Sequence, residues 1–207
     1  MLDSIKKEVK LAFVENKLAI IASILILFIS MILGYVFEPQ LFSYFNPVVE
    51  DLNNKVQTGV VQLTFNDIFF NNIIVVFKMF ISGFVFCFSA FILAFNGFFA
   101  GYYVALSENL PRTLALIIPH GIFEFSSCIL ACASGFVLFN FGYLVIKTSL
   151  ENKEMKFVKR LVFSYDKNFN KLLQAFILLA ISSILMVIAG IIEVYFTLPI
   201  GKFFLSL

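Results

Sequence analysis

One stretch without any charged residue constrains this chain more than any other feature. It runs from Leu18 to Phe37, between Lys17 and Glu38. Roughly 20 residues in a helix extend about 30 Å, which is the thickness of the hydrocarbon core of a bilayer. The stretch is long for the apolar part of a signal peptide, and no small-residue cleavage motif follows it. We therefore expect a retained membrane span.

The composition agrees with a membrane protein. Hydrophobic residues make up 61% of the 207 residues and charged residues 14%, against about 45–50% and about 25% in soluble domains. Too little polar surface is available to cover a soluble globule. The composition excludes a soluble enzyme, a nucleic-acid-binding protein and a disordered chain. It predicts an all-α polytopic transmembrane helix bundle that forms a single domain over residues 1–207.

Three further apolar stretches are long enough to cross a bilayer. The second span is predicted from Ile68 to Phe95, interrupted only by Lys78. The fourth runs from Phe125 to Ile146, and the fifth runs from Leu172 to Phe196 and contains Glu193. With the first stretch and one more between the second and fourth, they predict about five spans.

The third span is the difficult one. Asn96 to Ser107 is apolar, but it would form only about 18 Å of helix, which is too short to cross. The polar segment 108–112 follows, and then a second apolar piece from Thr113 to Phe123. We predict a broken third span, or a short helix with a re-entrant segment. Irregular backbone at membrane depth must be surrounded by protein or water, so this region should be interior.

The basic residues are concentrated in two segments. Residues 1–17 carry four lysines and residues 147–171 carry seven lysines and arginines, together eleven of the fifteen in the chain. The positive-inside rule places both segments in the cytoplasm, which requires four crossings between them. A fifth crossing then leaves the C-terminus outside. The expected location is the cell membrane, with 38–67 as an outer loop.

Two amphipathic helices are expected at the membrane surface. Residues 2–16 form a cytoplasmic one, because apolar residues recur at helical spacing beside lysines. A second apolar stripe lies in the outer loop and comprises Val49, Leu52, Val56, Val60 and Leu63. Both helices would rest on lipid headgroups or cap the bundle. Alternatively, the helix in the outer loop binds a membrane or extracytoplasmic protein partner.

Four ionisable residues fall within or near the predicted spans: Lys78, His120, Glu124 and Glu193. Charges inside a bilayer cost several kcal/mol, so such residues usually face the interior and have partners. His120 and Glu124 share one helical face if a helix begins at about Pro119, where a proline lacking its N–H is tolerated.

These groups are expected to converge in the outer half of the bundle. We predict that Lys78 reaches Glu124 or Glu193, and that His120 and both carboxylates line a small polar cavity. Asn71 and Asn72, which begin the second span, should contribute from a neighbouring helix. Asparagine and lysine side chains in these spans are candidate binding residues: Asn71, Asn72, Lys78 and Asn96.

Three interpretations of the polar groups stay open. In the first, the groups pair with one another and fix the helix register. In the second, His120 and Glu124 bind a divalent metal, or both act with Glu193 in catalysis. In the third, the same residues line a path for a substrate or an ion. The pair His120 and Glu124 lacks the second histidine of a His-Glu-x-x-His zinc helix.

Small residues and cysteines have simpler explanations. Gly97 and Gly101 form a G-x-x-x-G motif, and Ser127, Ala131 and Gly135 repeat at the same spacing. Such residues let helices approach closely in lipid, either within the chain or in a homodimer. Cys128 and Cys132 are interpreted as small core residues, because a structural metal site needs more than two ligands.

The order of these motifs resembles the stage II sporulation protein M family. The segment from Pro119 to Glu124 (Pro-His-Gly-Ile-Phe-Glu) carries most of the resemblance, with Asn71-Asn72, Asn96-Gly97 and the stretch 191–199 around it. The resemblance implies an integral membrane protein of about five spans. In spore formers it implies a membrane anchor for an engulfment machine that works with two secreted cell-wall hydrolases. The expected function is therefore a scaffold or organiser of a membrane complex, and the alternative is an intramembrane enzyme or small transporter.

Overall fold

The computed structural model describes residues 2–58, 64–85, 88–197, 199–200 and 203. The described residues form helices and short connections, with no strand among them. The helices are α1 (Leu2–Glu15), α2 (Lys17–Val36), α3 (Glu38–Gln57), α4 (Phe65–Ile81), α5 (Phe88–Ala105), α6 (Leu110–Glu151) and α7 (Phe157–Ile192). A 3₁₀ turn, Ser82–Phe84, follows α4, and a π-helical turn, Glu193–Thr197, follows α7.

The all-α bundle predicted from the sequence is confirmed. Five helices are long and apolar enough to cross a membrane: α2, α4 with its 3₁₀ turn, α5, α6, and α7 with its π turn. α1 and α3 are the two amphipathic helices. Val60 and Leu63, the last members of the outer apolar stripe, lie outside the described residues, as do the side chains of Leu52 and Val56.

The path of residues 68–124 differs from the prediction. The second span does not continue to Phe95, because α4 ends at Ile81 and the chain turns through Ser82–Phe84. The piece beginning at Asn96 is the second half of α5, which is long enough to cross by itself. Apolar residues make up this turn, so hydropathy alone did not reveal it.

The expected break before the fourth span is also absent from the described residues. α6 is one continuous helix of 42 residues that includes Pro119. Its start is at the polar segment instead, where the Asn109 side chain accepts a hydrogen bond from the Arg112 N–H at 3.2 Å. Pro111 lies in the first turn, the position where a missing N–H costs nothing. The sequence prediction therefore placed the helix start at Pro119, whereas the proline at the start of α6 is Pro111.

The longest helices, α6 and α7, form the central pair. They meet through Ser127 and Ser182, each of which donates its hydroxyl to the backbone carbonyl of the other, at 2.7 and 2.8 Å. The two hydroxyl oxygens lie 3.0 Å apart. Both serines are fully buried, so the reciprocal bonds satisfy two polar groups that lipid could not. Cys128 and Cys132 are buried in the same core, in agreement with their interpretation as core residues.

Small residues bring α2 and α5 into backbone contact. A Cβ atom added to Gly101 would lie 1.9 Å from the Met31 carbonyl oxygen, and one added to Gly34 would lie 1.9 Å from that of Phe98. Gly97 faces Ser30 and Leu27 in the same interface. Gly135, from the second motif, faces Ser89 and Met79. Both motifs therefore pack helices within the chain, and the homodimer stays a prediction without support from them.

The two ends of the bundle are chemically different. Asn16 and Lys171 mark one end, here called the basic end, where α1 contacts α7. The opposite end, here called the α3 end, contains α3 and the connection 106–109 between α5 and α6. Four of the helices that are long and apolar enough to cross a membrane lie between the N-terminal segment and residues 147–171, namely α2, α4, α5 and α6. Because four is an even number, the chain returns to the end at which it started.

The α6–α7 pair extends past the basic end. Leu18 and Ala19, at the start of α2, line one cavity with Phe136, Val137 and Asn140 of α6. The remaining part of α6, the connection and the start of α7 continue beyond this level as a helical hairpin over residues 141–170. α6 alone is about 63 Å long, twice the thickness of the hydrocarbon core.

Candidate functional site

His120 lies on α6 one residue after Pro119, in the half of the bundle nearer the α3 end. Its Nδ1 is 3.2 Å from the hydroxyl oxygen of Thr197, in the π turn after α7. Thr197 is buried, and His120 is half-buried. This contact joins the Pro-His-Gly element to the end of the last span. Thr197 belongs to the stretch 191–199 that carries part of the family resemblance, but its contact with His120 was not predicted from the sequence.

Two carboxylates approach each other beside this contact. Glu124 lies one turn further along α6, and Glu193 begins the π turn. Each lies one helical turn from a residue of the His120–Thr197 contact, and both are half-buried. The structure thus brings residues of α6 and α7 together, as expected. The helix start considered at about Pro119 is not there, because α6 starts at Leu110 and runs through this region without a break.

The metal interpretation gains no third ligand in the part of the chain that the structure describes. No group of three His, Cys, Asp or Glu side chains with suitable placement is found among those residues. Four cavities among the described residues have other linings, without His120, Glu124 or Glu193. The polar cavity and the divalent metal therefore stay predictions.

The predicted salt bridge of Lys78 is wrong. Lys78 is exposed and lies in the last turn of α4, one helical turn from Ser82. Gly83, just beyond, packs on Gly135 of α6, which places this end of α4 toward the basic end and away from both carboxylates. A lysine there can extend toward the headgroups and face the negative end of the helix dipole. It needs no carboxylate partner.

The asparagines are not gathered around the carboxylates by any described contact. The amide of Asn96 donates to the carbonyl of Ile92 on its own helix at 2.8 Å. Asn71 and Asn72 lie in the first half of α4, with a 3.5 Å contact between their side chains. A role of these residues in binding stays a prediction.

A polar network at the basic end was missed by the sequence analysis. Asn16 donates to the Gln174 side chain at 2.9 Å, and both side chains are buried. Lys171 bonds the Glu15 carboxylate at 2.8 Å and Gln174 at 3.0 Å. Gln174 also donates to Glu15 at 2.8 Å. These groups come together only because α1 lies close to α7. Gln174 is an unusual polar residue within an apolar run, and this feature of the sequence could have indicated a polar contact.

Comparison with known proteins identifies the family. The family model described as "Stage II sporulation protein M" matches residues 20–198, from the first turn of α2 past the π turn. The chain belongs to this family. The match includes His120, Glu124, Glu193 and Thr197, so the expectation drawn from the Pro-His-Gly element is confirmed at the level of the family.

Two relatives of this chain come from the archaeon Methanocaldococcus jannaschii, and both are described as uncharacterized proteins. One is 35% identical over 195 residues, which covers 92% of this chain and 99% of the relative. The other is 31% identical over 212 residues, which covers 97% of this chain and 91% of the relative. No solved structure matches the chain. The chain is thus a membrane protein of the stage II sporulation protein M family.

Proposed function

We propose that the protein is a scaffold that organises a membrane complex through the α6–α7 hairpin at its basic end. The supporting observation is the length of the central helices. α6 and the segment Phe157–Thr197 comprise 42 and 41 residues, whereas a span needs about 20. A protein that only sealed or fixed a bundle would need no such extension.

The surface of the hairpin favours a protein partner. On α7, large apolar side chains recur at helical spacing and are exposed: Val158, Leu161, Val162, Tyr165 and Phe169. Thr148, Ser149 and Ser164, which are small and polar, are buried between the two helices instead. Soluble surfaces rarely keep a row of large apolar side chains uncovered, so a partner is expected to cover it.

The proposal is tested by site-specific photo-cross-linking in the native membrane. A cross-linking side chain at Val158 or Val162 should give one discrete protein adduct. The matched control is Ile32 of α2, which is equally exposed but lies within a span and should give lipid adducts. Lipid adducts alone at all three positions would contradict a scaffold that acts through the hairpin.

A second candidate function is an intramembrane site at His120, Glu124 and Glu193. The proximity of two carboxylates on α6 and α7 favours it, because ionisable residues inside membranes often mark proton or ion paths. A π-helical turn is also frequent at functional sites.

Complementation of a deletion strain separates the two functions. His120→Gln and Glu124→Gln keep size and hydrogen bonding but remove acid–base capacity. The scaffold proposal expects both variants to complement, and expects a hairpin with Val158 and Val162 changed to Ser to fail. The opposite pattern, at matched levels in the membrane, would favour the intramembrane site.

A further inference from the structure

Two cavities of different chemistry lie side by side at the α3 end. One is about 290 Å³ and is bounded by apolar side chains of α2, including Phe28 and Met31, together with Val104 and Leu114. The other is about 430 Å³ and lies between α3, the end of α5 and the start of α6. The last turns of α5 and the first turns of α6 contribute to both. Consecutive residues of α6, Thr113 and Leu114, face the polar and the apolar cavity respectively.

The larger cavity is rich in hydrogen-bonding groups, and all those named here except the Glu50 carboxylate are uncharged. It is lined by Asn46, Glu50, Tyr103, Ser107 and Thr113, with apolar side chains between them. The Asn46 amide donates to the Glu50 carboxylate at 2.7 Å, and the hydroxyls of Ser107 and Thr113 are 2.6 Å apart. Each of these groups keeps acceptor or donor capacity beyond those bonds.

The position of each cavity matches one part of a lipid. The apolar cavity lies between membrane-spanning helices, where the surrounding molecules are acyl chains. The polar cavity lies where α5 has ended and the amphipathic α3 covers the bundle, which is the depth of headgroups. A ligand that fills both must therefore be amphipathic, with a chain and a polar group next to each other.

The charges select the headgroup. Among the described residues, no lysine or arginine lines either cavity, so none of these side chains complements a phosphate. The single carboxylate of Glu50 already accepts from Asn46, and one partly exposed acid is a weak site for an ammonium group. Amide, carboxylate and hydroxyl oxygens beside an aromatic ring suit a ligand with many hydroxyl donors.

We propose that this pair of cavities binds a membrane lipid with an uncharged, hydroxyl-rich headgroup. The headgroup occupies the cavity between α3, α5 and α6, and one acyl chain occupies the cavity between α2, α5 and α6. This lipid site is separate from the α6–α7 hairpin, which lies at the other end of the bundle.

The absence of tryptophan from the chain gives a direct test. Tyr103→Trp places a single fluorophore at the polar cavity, and the protein is reconstituted in phosphatidylcholine vesicles. Brominated lipids quench tryptophan only on contact. A small fraction of brominated galactosyl diacylglycerol should quench Trp fluorescence at least threefold more than the same fraction of brominated phosphatidylcholine. Tyr195→Trp, in the π turn after α7 and also exposed, lines neither cavity; it is the matched control and should show no such preference.

Further variants and competitors decide the outcome. Asn46→Ala or Thr113→Val, in the Tyr103→Trp background, should abolish the preference, whereas Gln40→Ala on the exposed part of α3 should keep it. Equal quenching by all lipids would mean ordinary surrounding lipid and would overturn the proposal. Preference for brominated phosphatidylethanolamine or phosphatidylglycerol would overturn the headgroup class. Displacement by millimolar methyl galactoside would indicate a soluble sugar site, and it would contradict binding of a lipid.

Discussion

At the scale of single residues, Gly101 and Gly142 are both glycines in long helices but have opposite surroundings. An added Cβ at Gly101 would lie 1.9 Å from the Met31 carbonyl oxygen, whereas one at Gly142 would have no atom within 4 Å. Backbone atoms cannot rotate away as a flexible side chain can. The close approach of α2 and α5 therefore depends on the absence of a side chain at position 101.

We predict that Gly101→Ala destabilises the protein by at least about 2 kcal/mol, because the two helices must separate. Gly142→Ala should be neutral or stabilising by up to about 1 kcal/mol, since alanine favours a helix over glycine. Unfolding in detergent, followed by circular dichroism, measures both. Equal effects of the two changes would mean that α2 and α5 do not meet at Gly101.

Lys78 gives a second prediction at this scale. Because it is exposed and distant from both carboxylates, Lys78→Ala should change the free energy of unfolding by less than about 1 kcal/mol, chiefly through the helix dipole. The change should add independently to that of Glu124→Gln. If Glu124→Gln rescued the stability of the Lys78→Ala variant, the two residues would be shown to form the salt bridge that the structure excludes.

At the scale of helices, the contact of α1 with α7 depends on Glu15. Hydrogen bonds from Lys171 and Gln174, and then the charge of Lys171, hold the pKa of the Glu15 carboxyl below its ordinary value of 4.5. A carboxyl whose pKa is lowered on folding stabilises the folded form above its unfolded pKa. That contribution is lost as the pH falls through the folded value.

We therefore predict that the contact of α1 with α7 weakens in acid, below about pH 4.5. The hydrogen-exchange protection factors of residues 5–15, which correct for the intrinsic pH dependence of exchange, should fall there, while those of α6 stay high. Glu15→Gln should remove this pH dependence of the protection factors, and Glu8→Gln, a change in the same helix away from the network, should not. Because Glu15 is largely exposed, the effect should be small and should decrease with salt.

At the scale of the whole molecule, the distribution of basic residues gives the orientation that we propose. Glu15 and Lys171, from the two basic segments 1–17 and 147–171, meet at one end of the bundle, and by the positive-inside rule we propose that this end is cytoplasmic. α3 and the C-terminus then lie outside.

Single-cysteine labelling in intact cells checks this orientation, in a background without Cys87, Cys128 and Cys132. A membrane-impermeant reagent should label a cysteine at Asn54 on α3 and miss one at Lys156 in the hairpin. A position near Leu207, outside the described residues, should also be labelled. Strong labelling at Lys156 in intact cells would invert the assignment.

The sequence by itself determined the class of the fold and the number of helices, among the described residues, that are long and apolar enough to cross a membrane. Hydropathy and charge are sums over neighbouring residues. A local stretch such as Leu18 to Phe37 therefore contains all the information needed to predict a span. The proximity of His120 to Glu124 was also readable, because it follows from the spacing of one helix.

The tertiary structure decided where helices stop and which polar groups meet. α4 ends at an apolar turn, where Ser89 donates to the Met79 carbonyl across the turn and Gly83 packs on Gly135 from a distant part of the chain. The same holds for Asn16 with Gln174 and for His120 with Thr197. Such pairs depend on how helices cross and on their relative depth, and a linear pattern of residues does not contain that information.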